Sequence, residues 1–437
     1  MRNRILAGLC IGSLFVGACT APLARVEQPT QTVTSLRTET YTPVPTPIAV
    51  VPVPTSTPQG VAGSEDNPLR IRIIQSDLNS DASLKRFIEE ASTRANIRVD
   101  VDVHSADGAY ALDQDAELSQ SVDAWIGTEY DVAQLRLSNS IATDVVTIDE
   151  SMYGYARQII AQHPQLAIHP LAARNYLIGM GNTDLLQPIP TSTEEMLRIE
   201  RNTRGRTRYD MAFAWAEGRW FDAFVALIEP ATTSPIASQS PSEDTLRQVL
   251  GTYTSLRTLG PREATSYQES IVDFVNWRVP YTLDGDAAIR RYAVYSPTLT
   301  LSYAMPPVYT AVGLPVNPPV DVVSFIRAAN ERPGARDAFN TLLFALRDRP
   351  AQQQMLTALR WIPLSAQAFD GVDTATYPEV TILAAIAPQL SAQAYTPALI
   401  CRWDAYESIL PFVLLREMRV EEGVSAMRRA IEACYTP

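Results

Sequence analysis

Few side chains in this sequence are suited to covalent or metal chemistry. It has 3 histidines among 437 residues: His104, His163 and His169. His163 and His169 each precede a proline, a context that suits a turn better than a metal site. A histidine-based zinc centre would leave almost no spare ligands. There is no Gly-x-Ser-x-Gly elbow, no His-Glu-x-x-His pair and no glycine-rich phosphate loop. Paired acids such as Glu194 and Glu195 read as a solvated helix start. Two well-placed carboxylates leave no motif, so spacing alone does not exclude a glycoside hydrolase. The more telling group is Trp215, Glu217 and Trp220, in the exit loop of a strand-like run, Arg208–Phe213. A sugar has apolar C–H faces and a rim of hydroxyls, so flat rings beside a few acids are the matching chemistry. Trp and Tyr concentrated at predicted element ends, rather than on helix faces, suit that need.

Such residues need a frame. Leu69–Ile74 alternates and then runs apolar, as a strand does on entering a parallel sheet. A helix is predicted from about Ser83, with Phe87, Ile88 and Ala91 inward. Ile97–Val103 is a second strand, Asp113–Gln120 a helix and Ser121–Ile126 a third strand. This βαβαβ order implies right-handed crossovers and a three-layer lobe. Ligands in such sheets sit beyond the carboxyl ends of the strands. That rule selects the loops Gln75–Leu78 and Gly127–Tyr130, hence Ser76, Asp77, Thr128, Glu129 and Tyr130. Later, Ser242 caps a helix whose Leu246, Val249, Leu250, Tyr253 and Leu256 recur at helical spacing. Asp286–Tyr292, Asp337–Leu346 and Gln352–Leu359 are further helical pieces, the last preceding Trp361.

The beginning of the chain sets a compartment. Arg2 and Arg4 precede an apolar run, Ile5–Val16, too short for a membrane span of about 20 residues but suited to a signal peptide. It ends in Val16-Gly17-Ala18-Cys19, which looks like a lipobox, so residues 1–18 are expected to leave and Cys19 to carry lipid. Residues 19–67 are rich in Pro and Thr and are expected to form an extended, disordered linker reaching about 3 Å per residue. The remainder exceeds one core and implies two lobes. A net charge of −12 argues against nucleic acid or anionic lipid as the chain's partner. Of the 4 cysteines, Cys10 lies in the leader and Cys19 at the anchor. Trp403–Arg416 and a helix bearing Val420, Val424, Met427, Ile431 and Cys434 would fold as an αα hairpin about Glu417–Arg419. That returns Cys434 beside Cys401, where a disulfide is expected; the alternative is two separately buried thiols.

Several short patterns follow one another along the chain: Pro170–Leu177 with Gly181-Asn182-Thr183-Asp184-Leu185-Leu186, Pro190–Leu197, Gly285-Asp286-Ala287-Ala288-Ile289, Ala304-Met305-Pro306-Pro307, and Trp403 followed by Val420-Glu421-Glu422. In that order they resemble the maltose-binding-protein-like family (family 1) of extracellular solute-binding proteins of ABC importers, over nearly all of Pro68–Cys434. Thr183 stands where that family usually has lysine, and Thr193 where it has tryptophan. The resemblance implies a two-lobed periplasmic-binding-protein fold of type II. Each lobe would be a mostly parallel sheet flanked by helices, with a C-terminal αα hairpin. Lobe I would span about residues 68–168 plus a later return segment, and lobe II about 172–300 plus the C-terminal helices. Carried over position by position, it implies ligand contacts at Ser76, Asp77, Thr128, Glu129, Tyr130, Trp215, Glu217, Trp220, Tyr292, Tyr295, Trp361 and Trp403. Trp125, Trp277 and Asp284 are further candidates.

The function implied is capture of a small solute, a sugar by preference, and delivery to an ABC permease by a lipid-anchored, extracytoplasmic monomer. No catalytic residue and no cofactor is called for. Two rival readings stand beside it: a sensory or scaffolding protein that keeps the fold, and a lipid-anchored enzyme acting on surface polysaccharide.

Overall fold

Leu69, Ile71 and Ile73 alternate with arginines, and all three are buried in strand β1 (Leu69–Gln75). The computed structural model describes residues 61–75, 78–105, 122–186, 188–199, 209–229, 240–260, 267–276, 278–295, 300–329 and 332–435. The predicted leader, Cys19, most of the Pro/Thr-rich segment, Ser76, Asp77, the predicted helix at 113–120 and Trp277 lie outside them. Helix α1 (Leu78–Ala95) covers β1 with Leu84, Phe87, Ile88 and Ala91. Strands β2 (Val99–Ser105) and β3 (Ala124–Gly127) then pair parallel to β1 on either side, as the βαβ pattern requires. Helices α2 (Glu129–Leu137) and α3 (Gly154–Gln162) lead into β4 (Ile168–Arg174).

The chain then changes lobes. Strand β5 (Ile178–Asn182) begins a second sheet, followed by helix α4 (Thr193–Met196), β6 (Met211–Ala212), α5 (Gly218–Ile228), α6 (Glu243–Leu256) and α7 (Tyr267–Val275). Next come β7 (Tyr281–Asp284), α8 (Asp286–Tyr295), β8 (Leu301–Ala304) and the small β9 (Val308–Tyr309)–β10 (Leu314–Pro315) ladder. Strand β11 (Asp321–Arg327) returns to the first sheet, followed by α9 (Ala335–Arg347), α10 (Arg349–Gln354), β12 (Ile362–Pro363) and α11 (Val380–Ile386). A last crossing leads to α12 (Pro397–Leu414) and α13 (Val420–Tyr435), which pack on the second lobe. Among the described residues the chain thus crosses between lobes at 175–177, 316–320 and 390–396.

The sheets are mixed rather than mostly parallel. The first has the order β12-β4-β11-β3-β1-β2 and the second β6-β7-β5-β8. The reason is the interlobe route: β11 re-enters from the other lobe and runs antiparallel to both β3 and β4. Strand β4 continues through Arg174, opposite Asp321, so the first crossing lies later than the sequence placed it. The folded unit also begins before Pro68. Ala62 is buried and donates its N–H to the Pro333 carbonyl, while Arg332 binds Asn67, the Pro68 carbonyl and Asp123. One apolar cluster belongs to each lobe, and a third spans both, with Tyr155 and Ile326 from one and Ile178 and Phe274 from the other.

The C-terminal hairpin forms as its pattern indicates, with Cys401 and Cys434 joined in a disulfide at a Cα separation of 5.9 Å. Helix α12 begins earlier than expected because Thr396 Oγ1 accepts from the Leu399 N–H and Pro397 takes the first helical position. It ends in a Schellman turn: the Glu417 N–H reaches the Phe412 carbonyl and the Arg416 N–H that of Val413. Arg416 occupies the left-handed position of that turn, at φ 63°. Glycine is usual there, and a side chain costs about 1 kcal/mol.

Candidate functional site

At the end of β3 the chain turns sharply. A Cβ on Gly127 would lie 2.8 Å from Asp131 Oδ2, so only glycine leaves room for the first turn of α2. The Thr128 backbone N–H (2.7 Å) and hydroxyl (3.1 Å) both donate to that oxygen, tying the loop to the helix start. This places the half-buried Tyr130 ring edge-on to Tyr395 of the last crossing, at 5.6 Å. Tyr395 in turn meets Trp403, in the first turns of α12, at 5.7 Å. From lobe II the Arg219 guanidinium lies 5.4 Å from the Trp220 ring and 5.8 Å from that of Trp403. The close fit of α5 on α12 depends on Gly218, where a Cβ would come within 2.6 Å of the Trp403 carbonyl oxygen. The Gly218 N–H donates to Glu407 Oε1 at 3.1 Å. A half-buried aromatic run therefore spans the junction of the lobes.

Beneath it sits Asp321, which receives hydrogen bonds from the first and last connections and from lobe II. Arg219 Nη1 donates at 2.9 Å, the Tyr395 hydroxyl at 2.7 Å, and Asn175 through its amide. Arg219 also donates to the carbonyls of Pro319 (3.1 Å) and Asn175 (3.4 Å). Burial pushes the Asp321 carboxyl up, but Arg219 and the hydrogen bonds outweigh it and hold the group below the ordinary carboxylate range. Asp131 goes the other way. Burial is the main cause of its rise to about 6, opposed by the Thr128 hydrogen bonds and Arg174 and assisted by Asp321. Burial, then the neighbouring Glu407, also raises Glu217.

The junction brings together Thr128, Tyr130, Glu217 and Trp403 of the residues named from sequence. Trp220 is buried in the lobe II core and meets the junction through Arg219. Four others lie away from it. Glu129 turns into lobe I, where its buried carboxylate lies 2.9 Å from His163 Nε2. Trp215 is fully buried, edge-on to Phe213 at 4.7 Å and to Tyr253 at 5.2 Å. Trp361 is sealed in the lobe I core, with the Arg174 guanidinium 5.9 Å from its ring. Tyr292 is buried and donates to Asp284 Oδ2 at 2.9 Å, which also accounts for Asp284. Trp125 is likewise core. Each of these large rings stabilises the fold more by burial than an exposed ring would. Tyr295 ends α8, its side chain outside the described residues, as are Ser76 and Asp77. Sequence reasoning missed Asp131, Asn175, Arg219, Asp321 and Tyr395. The Thr128-x-x-Asp131 spacing of a capping box was readable; Tyr395 carries no local motif.

No protein-family model and no curated protein matches the sequence. Among solved structures, the chain is similar to the maltose/maltodextrin-binding domain MalE from Bdellovibrio bacteriovorus bound to maltotriose. The TM-score is 0.63 at 17% identity, over 84% of this chain and 98% of that one. The likeness establishes the fold: a mixed α/β chain in the two-lobed periplasmic-binding-protein architecture, its sheets flanked by helices.

Proposed function

We propose that this chain is a solute-binding lipoprotein that captures a sugar at the junction of its lobes and hands it to an ABC-type importer. The observation that carries the reading is the Tyr130–Tyr395–Trp403 run, half-exposed where the interlobe crossings meet. Rings and carboxylates of this kind match the C–H faces and hydroxyls of a saccharide. Solute docked on one lobe and touched by the other shifts the chain towards a closed form, which the permease then recognises. The Val16–Cys19 lipobox and the Pro/Thr-rich segment support an anchored, extracytoplasmic location. Because the Bdellovibrio structure holds maltotriose, linear glucose oligosaccharides head the panel to be tried.

The test is calorimetric titration of the mature chain with mono- and oligosaccharides, beside Trp403→Ala and Tyr130→Ala. Saturable binding weakened at least tenfold by Trp403→Ala is expected. No heat with any saccharide would remove the carbohydrate reading, and binding indifferent to both substitutions would move the site elsewhere. Loss of fatty-acid labelling in Cys19→Ala tests the anchor.

A further inference from the structure

One groove of the molecule lies away from the junction. It lies in lobe II, between the C-terminal ends of α6 and α12, and has a volume of about 1000 Å³. Its lining from α12 and the following turn begins at Val413, roughly 15 Å along the α12 axis from Trp403. We propose that this groove is a second binding site, for an amphiphilic organic anion with an oxyanion head and an apolar body.

Charge is the first argument. Arg257, Arg416 and Arg419 line the groove against one acid, Glu421, in a chain whose net charge is −12. Such a local reversal of sign favours an anion and repels the cations that the rest of the surface attracts. Glu422, beside the groove, accepts from the Arg419 backbone N–H and is occupied in capping α13. The second argument is Arg416. It holds a left-handed backbone position where glycine would be favoured, so its side chain, rather than the turn, explains its presence. Third, Arg257 in the lining is buried, so its positive charge is held in place there. Leu415 and Met418 supply an apolar wall for the rest of the ligand. A volume of this size matches the upper range of small-molecule sites.

The experiment titrates the mature chain with octyl phosphate, using octyl glucoside as the neutral counterpart of equal chain length and inorganic phosphate as the bare head. Octyl phosphate should bind saturably, at least tenfold tighter than either, with an affinity that falls as salt is added. Arg416→Gly should raise the melting temperature, since glycine suits the turn, and yet weaken octyl phosphate at least fivefold. Arg419→Gln should also weaken it. Trp403→Ala, at the other end of α12, should leave it unchanged. Octyl glucoside binding as tightly as octyl phosphate, absence of octyl phosphate binding, or an Arg416→Gly variant that binds undiminished would each overturn the proposal.

Discussion

Two buried carboxylates at the lobe junction, in different parts of the fold, behave oppositely. Asp321, at the start of β11, is held ionised by Arg219, Tyr395 and Asn175. Asp131, in the first turn of α2, accepts from Thr128 and is pushed up to about 6. Both are more than nine-tenths buried by exposed area. Burial raises both carboxyls; what separates them is how strongly their partners oppose it. The crossing region is an ion-paired joint built for one charge state, whereas the lobe I loop changes charge within an ordinary range of pH.

Breaking the joint should produce the largest effect. Arg219→Met leaves Asp321 buried without its cation and is expected to cost about 3–5 kcal/mol, read as a lower midpoint in urea. Adding Asp321→Asn to that variant should recover part of the loss; a purely additive double variant would show that the two residues do not act as a pair. At Asp131 the sign reverses. Its folded value lies above the ordinary 3.8, so the folded chain binds this proton more tightly than the unfolded one. Its contribution to stability is full below about pH 3.8 and disappears as the pH rises through about 6. Asp131→Asn should thus stabilise the protein at pH 7.5, by about 3 kcal/mol at most, and gain little at pH 4. Equal effects at both values would show that Asp131 ionises normally.

Smaller changes sharpen the same contrast. Gly218→Ala forces a methyl group against the Trp403 backbone and should cost about 1–3 kcal/mol while weakening saccharide binding. An unchanged affinity in calorimetry would separate the α5–α12 contact from the site. Thr128→Ala removes one hydrogen bond to Asp131 and should cost about 1 kcal/mol, with a further upward shift of that carboxyl. The shift can be followed by NMR titration of the Asp131 side chain, and a downward movement would contradict the assignment.

The legible parts of the molecule were those with local causes. The βαβ frame followed from alternation at Leu69–Ile74, the hairpin from apolar spacing in α13, and the helix start at Ser242 from its side chain, which accepts from the Thr245 N–H. Strand β6, with two residues, has too short a period to fix its length. Aromatic rings at element ends proved ambiguous: Trp403 reaches the junction, whereas Trp215 and Trp361 stand at similar ends and are core. What separates them is packing from distant segments, which a local window does not contain. The Asp321 joint shows this most sharply. Its partners Tyr395, Arg219 and Asn175 lie 74, 102 and 146 residues away in sequence. Its chemistry exists only once the chain has crossed between the lobes.

The entry of the chain into lobe I has a mechanical meaning. Residues just before β1 are clamped by Arg332, which holds Asn67, the Pro68 carbonyl and Asp123. Strand β1 itself lies between β2 and β3, parallel to both. A pull directed along β1 from its N-terminal end would load its two ladders in shear once the Arg332 clamp had given way. Their hydrogen bonds would then fail together instead of unzipping one after another.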